Sequence, residues 1–413
     1  MIDSADVVVI GAGALGASVT YHLAKAGAGD VVLLDKSQPV SQTSSHAAGL
    51  SSQVQPTPFL TRMATQSVRA VERFEQDTGE SLAFHQPGSL RLALTDEYAR
   101  RLRYDVEHAR ALGVVVDLIE HDAIERLAPW VVTGPVAAAS YTPTDVYFEP
   151  GALPRAYVRA AQRLGALVVP DTRVTGIDAS GGKVAGVTTD RGTIASPVVV
   201  DTAGAWSVLV GDMANISIAL APLRHQLMIT RPLDFVEPTH SIVRVMDVNV
   251  YVRPCDGGLM LGGYEPDPMV FDGHTMSAQA DVGDLSLDVS VLRALADRVV
   301  DVMPAFDGVE LAEHRGGLPT MTVDGNPLLG PLPGAGLEGF YILSGCCVGG
   351  LGKSPALGAA LARWIVDGEP GEDLSDAAPG RFDGRFDNPD ELVEACRWQY
   401  AHHYHKSSPT DGD

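Results

Sequence analysis

Gly11-Ala-Gly13-Ala-Leu-Gly16 follows directly on the β-branched run Val7 to Ile10, and an acid, Asp35, stands about 20 residues further on, the spacing a dinucleotide site uses. Each residue type has a chemical task. Gly11 permits a tight strand-to-helix turn, Gly13 lets main chain approach a pyrophosphate, and Gly16 lets helix and strand pack closely. Ala14 and Leu15 open a helix whose first amides offer donors to phosphate. Asp35, followed by Lys36, is placed to accept a ribose hydroxyl, and an acid there argues against NADP.

Three further stretches hold residues capable of chemistry. The loop SQPVSQTSSHAAGLSSQVQP brings Ser44, Ser45 and His46, then Ala48, Gly49 and Leu50, to the carboxyl end of a second strand, where ligands sit in open α/β sheets. His225 and Tyr251 stand in alternating segments, PLRHQ and NVYVRP. By residue type alone they read as a satisfied strand histidine and a half-buried sheet aromatic. SGCCVGGLGK, with Gly349, Gly350, Gly352 and Lys353, is a second glycine-rich turn ahead of a helix and suits a cofactor longer than NAD. Cys255, Cys346, Cys347 and Cys396 lack CxxC spacing, so inert thiols and no metal site are expected.

The elements that must position these groups follow from periodicity. Val7 to Ile10 and Val31 to Leu34 read as buried parallel strands around a helix carrying Leu15, Val19 and Leu23 on one stripe. Residues 59–78 read as one amphipathic helix, 96–112 as a charged helix and 114–119 as a strand. Leu153 to Leu164 is helical, Ala166 to Val169 a strand, and Gly181-Gly182 turns a hairpin that begins near Val174. Val198 to Val200 runs into Ala203, Gly204 and Trp206, small residues against which a cofactor can lie. Alternating β character fills 217–321, with a helix near 285–303, and Phe340 to Leu343 leads to a helix from Pro355 to Val366.

With 413 residues the chain suggests two or three domains. Thirty basic against 52 acidic residues give a net charge of −22, which repels nucleic acid and anionic membrane. The first strand begins within a few residues of Met1 and no 18-residue apolar run occurs, so a soluble, cytoplasmic protein without a leader is expected. The closing SSPTDGD is expected to fray.

GAGALG with Asp35, SPVVVDTAGAW, and TVDGNPLLG leading to GKSPALGAALA together resemble the D-amino-acid oxidase, glycine oxidase and sarcosine oxidase superfamily of FAD-dependent amine oxidoreductases, over about residues 5–370. A narrower resemblance is to dimethylglycine oxidase, dimethylglycine and sarcosine dehydrogenases and 4-methylaminobutanoate oxidase. It implies an α/β plus α+β chain: a discontinuous Rossmann-like FAD-binding domain of the glutathione-reductase type (1–80, 147–215, 322–370) and a mixed or antiparallel β-sheet substrate domain (81–146, 216–321). It implies FAD covalently held through His46, with His225 and Tyr251 beside the flavin ring. Residues 371–413 resemble the linker that leads, in those enzymes, to a folate-binding domain; neither that domain nor a tetrahydrofolate acceptor is expected here.

The chemistry that follows is oxidation of a secondary or tertiary amine, an N-methyl amino acid of the sarcosine or dimethylglycine type, by hydride transfer to flavin N5. An ammonium has no lone pair to assist hydride loss, so His225 is expected as base or proton relay and Tyr251 as a hydrogen-bonding partner. Lys353 is the cation expected to favour oxygen, although an electron-transfer protein could serve as oxidant. Arg315, ahead of DGNPLLG, is expected to bind a substrate carboxylate. Alternatives are a tailoring oxidase for a cyclic imino acid and a flavin-binding subunit of a hetero-oligomer; a monomer or small homo-oligomer is expected.

Overall fold

The computed structural model describes residues 2–332, 336–386 and 388–404; SSPTDGD lies outside them. Its first layer is a six-stranded sheet in the order Leu328–Pro331, Phe340–Ser344, Val198–Asp201, Val7–Ile10, Val31–Leu34, Leu167–Val169. Neighbours are parallel except for the hairpin at the Leu328–Pro331 edge. Every residue of Val7–Ile10 and Val31–Leu34 is buried, which a parallel sheet covered on both faces requires.

The strands alternate between two cores. Val7, Val9 and Leu33 face the helices Ala14–Ala26, Pro58–Glu72, Ala152–Arg163 and Gly350–Asp367. Val8, Ile10, Val32 and Leu34 face an antiparallel three-stranded sheet, Val174–Ser180, Lys183–Thr189 and Gly192–Ala195. The helices Ala14–Ala26 and Gly350–Asp367 cross at small residues: a Cβ on Gly358 would stand 2.3 Å from Ser18 Oγ, and that hydroxyl donates to Ser354 O at 2.7 Å.

The second layer is an eight-stranded mixed sheet, in the order Leu311–Gly317, His225–Thr230, Gly258–Gly263, Val250–Cys255, Ile242–Val245, Ser89–Ala93, Ala138–Thr142, Asp117–Ile119. Only Ile242–Val245 with Ser89–Ala93 is parallel. Alternation again divides it. Leu90, Leu92, Val243, Val245, Val250 and Val252 pack on the helix Val289–Asp297 and its neighbours. The opposite face carries Arg91, Arg244 and Tyr251 in one cross-strand row.

Several elements depart from the sequence reading, each for a local reason. The helix expected from Pro355 begins at Gly350, because the Ser354 hydroxyl donates to Leu351 O at 2.9 Å, the carbonyl that a proline at 355 cannot serve. Residues 59–78 break at Arg73 into Pro58–Glu72 and Phe74–Thr78, with Phe74 packing edge-on against Tyr157. The expected strand 114–119 is only Asp117–Ile119, because Val114 and Val116 are drawn into a cluster under the helix Asp96–Ala111. Within 285–303 only Val289–Asp297 is helical, started by Asp288 accepting from Ser290 N. Among the described residues no helix is long and apolar enough to cross a membrane.

Residues read from sequence as a linker fold back as structure. The helix Pro389–Ala401 buries Cys396 completely against the two-stranded pair Ala221–Pro222 and Thr320–Met321, and Tyr400 completely against the second layer. Asn249, at φ +58°, latches its end: the Asn249 amide donates to Ala401 O (2.9 Å) and its oxygen accepts from Tyr404 N (3.2 Å).

Candidate active site

A cavity of about 660 Å³ is lined by the carboxyl ends of the first sheet and by the polar row of the second. At one end stands the glycine turn. Gly11 has φ +100°, and a Cβ there would lie 2.7 Å from Thr202 O; a Cβ on Gly16 would lie 1.8 Å from Gly11 O. Such backbone tolerates only glycine. Asp35 accepts from Ala12 N (2.7 Å) and Ser37 N (2.8 Å), and burial raises its carboxyl above the usual range. Lys36 spans the rim, its Nζ 3.6 Å from the Trp206 ring centre and bonded to Ala280 O at 2.6 Å; burial lowers it to about 8. The Ser44 hydroxyl accepts from Ala14 N at 2.9 Å, tying the histidine loop to the helix start.

That loop is fixed on several sides. His46 ends the short turn Thr43–His46 and lines the cavity. Gln42 bonds Asp281 and Val282, and Thr43 Oγ1 accepts from Leu318 N at 3.0 Å. Gly352 leaves room for Leu50, since a Cβ would lie 2.2 Å from Leu50 O. Across the cavity Cys347 and Val348 are consecutive non-glycine residues at φ +45° and +58°, held by Cys347 N donating to Thr320 O at 2.8 Å. Lys353 lies on the first turn of the following helix, buried, with its Nζ over Gly349. Behind this end Asp201 is fully buried. Its Oδ1 accepts from Ala203 N and Ser207 Oγ while Oδ2 has no partner among the described residues, and burial pushes the carboxyl up to about 7.

At the other end His225 joins two tyrosines. Its Nε2 lies 2.8 Å from Tyr251 Oη and its Nδ1 2.7 Å from Tyr400 Oη. Burial lowers the imidazole to about 4, so it is neutral at physiological pH. Tyr251 lies over Gly262, where a Cβ would stand 2.2 Å from the hydroxyl. Beside it, Arg244 donates through Nη2 to Ser52 Oγ at 2.6 Å, while Nη1 is buried with no partner among the described residues. Arg91, next along the row, donates to Val54 O and faces Asp105 at 3.6 Å. Tyr264, His403 and Tyr404 complete the wall, the Tyr264 and His403 rings stacked at 4.1 Å.

Of the catalytic and cofactor-binding residues expected from sequence, Gly16, Ser45 and Arg315 do not line the cavity; the others do. Gly16 sits beneath the turn and Ser45 donates to Gln42 O. The expectation for Arg315 is corrected: its guanidinium is taken up by Glu313 through bonds of 2.7 and 2.6 Å, away from the cavity. Sequence reading missed Arg91, Arg244, Tyr264, Tyr400, His403 and Tyr404. The available signal was a charged residue at an inward position of an apolar strand, as in Ile242–Val245 and Ser89–Ala93. Arg253, by contrast, props the histidine loop by donating to Ala48 O at 2.7 Å.

The cradle fits a flavin dinucleotide. Its turn admits no side chain, its helix start presents amides, and Asp35 stands at the neighbouring strand end. Comparison with known proteins agrees. A family model described as FAD dependent oxidoreductase (DAO) matches residues 6–364. Human mitochondrial dimethylglycine dehydrogenase is 30% identical over 390 residues, 92% of this chain and 44% of that protein. Human mitochondrial sarcosine dehydrogenase is 30% identical over 419 residues, 99% of this chain and 45% of the other. This chain therefore spans less than half the length of these relatives. Among solved structures, L-proline dehydrogenase from P. horikoshii superposes with a TM-score of 0.83 at 25% identity, over 93% of this chain and 99% of the other.

Proposed function

Because the chain belongs to the FAD dependent oxidoreductase family, we propose that it oxidises an N-methyl amino acid of the sarcosine or dimethylglycine type. The observation that carries this reading is the buried, half-engaged guanidinium of Arg244 in the same cavity wall as the His225–Tyr251 pair. A guanidinium with one nitrogen left unpaired is a receptor for carboxylate, and a neutral imidazole next to a phenol is a receptor for a proton. An amino acid that is also an amine satisfies both.

Bound FAD would supply the hydride acceptor. The chain does the rest. Arg244 holds the carboxylate through Nη1, with Ser52 fixing its other nitrogen. The walls of Tyr251, Tyr264 and Tyr404 exclude water around the amine. Tyr251 faces the nitrogen and His225 lies behind it, so the ammonium can lose its proton before the carbon beside nitrogen is oxidised. Water then converts an N-methyl iminium to the demethylated amine and formaldehyde. In this reading residues 1–80, 147–215 and 322–370 hold the dinucleotide, and 81–146 with 216–321 hold the substrate.

His46 is proposed as the covalent attachment point, supported by its place on a pinned turn in the cavity wall. Lys353, buried at the same cavity, is proposed as the cation that favours oxygen as oxidant. The test is anaerobic reduction of the FAD-loaded protein by sarcosine, dimethylglycine, 4-methylaminobutanoate, proline and simple amines, followed by air. Bleaching by the N-methyl amino acids with formaldehyde release supports the proposal. Bleaching by proline alone, or by none, overturns it.

A further inference from the structure

We propose that Tyr400, on the helix Pro389–Ala401, is a positioning residue that fixes His225 as its Nδ1–H tautomer, so that the Tyr251 hydroxyl points its proton at His225 Nε2. Three contacts lead there. Tyr400 Oη has a single proton and lies 3.4 Å from Gly263 O, a carbonyl that can only accept. Toward His225, at 2.7 Å, Tyr400 therefore presents a lone pair, and Nδ1 must carry the hydrogen. Nε2 is left as the acceptor, and Tyr251 Oη, at 2.8 Å, donates to it.

The direction matters for the amine. With its proton committed to Nε2, the Tyr251 oxygen offers a lone pair to an incoming ammonium. The opposite tautomer would turn the hydroxyl proton outward, donor against donor. When the ammonium gives its N–H proton to the Tyr251 oxygen, the Tyr251 proton passes to Nε2. The products are a free amine with its lone pair, an unchanged phenol and an imidazolium whose Nδ1–H still donates to Tyr400. The groups facing His225 are Tyr251, Tyr264 and Tyr400, with the Arg224–Glu265 pair behind Tyr400. The Asn249 latch holds the end of the helix, so a residue far from the cofactor cradle in sequence sets the polarity of the pair.

The inference rests on the amine-oxidation reading for its kinetic arm only. The first measurement uses the full chain loaded with FAD and labelled with ¹⁵N-histidine, the His225 signals being assigned by their loss in His225→Gln. Resting wild type should show a protonated Nδ1 and an unprotonated Nε2, and Tyr400→Phe should lose or reverse that pattern. In the second measurement, anaerobic reduction by an amine active on wild type is followed against pH. Tyr400→Phe should slow reduction by ~10²-fold and move its acid limb up by ~1 pH unit, with little change in substrate affinity. An Nε2–H tautomer in wild type overturns the proposal even if the variant does not fold. So does a Tyr400→Phe protein with wild-type nitrogen signals and pH limb, whatever its Tm. If no amine reduces wild type, the oxidation reading fails while the nitrogen spectrum still decides the tautomer.

Discussion

Arg244 stands directly across from Tyr251 in the antiparallel pairing of Ile242–Val245 with Val250–Cys255, so their side chains leave the sheet on the same face, one strand apart. A charge receptor and a proton-handling phenol are thereby set at a spacing fixed by the backbone. Neighbouring strands lie about 4.8 Å apart, so the two side chains are adjacent on one face of the sheet.

Replacing Arg244 tests that spacing. Arg244→Ala should raise KM for an N-methyl amino acid by ~10–100-fold, the worth of a charge-assisted bond, and leave a simple N-methyl amine nearly unchanged. Arg315→Ala should alter neither, because that guanidinium is already paired with Glu313. Steady-state kinetics on both substrates decides between the two arginines.

Tyr251→Phe keeps the ring over Gly262 and removes the hydroxyl between amine and His225. Flavin reduction should slow by ~10²-fold at neutral pH and recover partly as alkali deprotonates the amine in solution. Stopped-flow absorbance against pH reads this. A rate indifferent to the substitution would remove Tyr251 from proton handling.

His46→Ala should release FAD from acid-precipitated protein, whereas the unsubstituted protein should keep its yellow colour in the pellet. Colour lost from both would dispose of the tether. The pinning of Gln42 and Thr43 predicts that the variant still binds FAD without a covalent bond.

Gly16→Ala should abolish FAD binding or folding outright, since its Cβ would fall 1.8 Å from Gly11 O, a main-chain atom with nowhere to go. Gly27→Ala, in a left-handed cap facing open space, should cost only about 1 kcal/mol. Tm and flavin content of the two variants give the contrast.

Stability against pH should carry two opposed signatures. His22 and His225 are held near 4 by burial against an ordinary 6.5. Unfolded protein therefore binds more protons between those values, and their contribution, full above pH 6.5, is lost as pH falls to 4. Asp201 is raised to about 7 from 3.8, so its contribution is full below 3.8 and fades as pH rises to 7. His22→Gln should lessen the loss of Tm as pH falls from 6.5 to 4, and Asp201→Asn should lessen the loss of Tm as pH rises from 3.8 to 7. Parallel curves in wild type and both variants would contradict this.

The cofactor end was the more legible part of the sequence because its demands are local. A tight turn needs glycine wherever it occurs, and the strand, turn and helix that express it are contiguous. Arg244 and Arg91 escaped because a basic residue in a strand declares nothing until the register of distant strands is known. Tyr400 escaped for a related reason: composition cannot tell a linker from a helix that docks. The Pro355 boundary failed because a serine hydroxyl replaced the missing amide, a compensation visible only in three dimensions.

The first sheet draws its strands from remote parts of the polypeptide. Val7–Ile10 pairs with Val31–Leu34 on one side, but on the other it waits for Val198–Asp201, which in turn waits for Phe340–Ser344. A ribosome must therefore have released most of the chain before the sheet can close, leaving the early strands with bare edges that a chaperone or premature aggregation would find first. A fragment cut anywhere between these strands would inherit that open edge permanently.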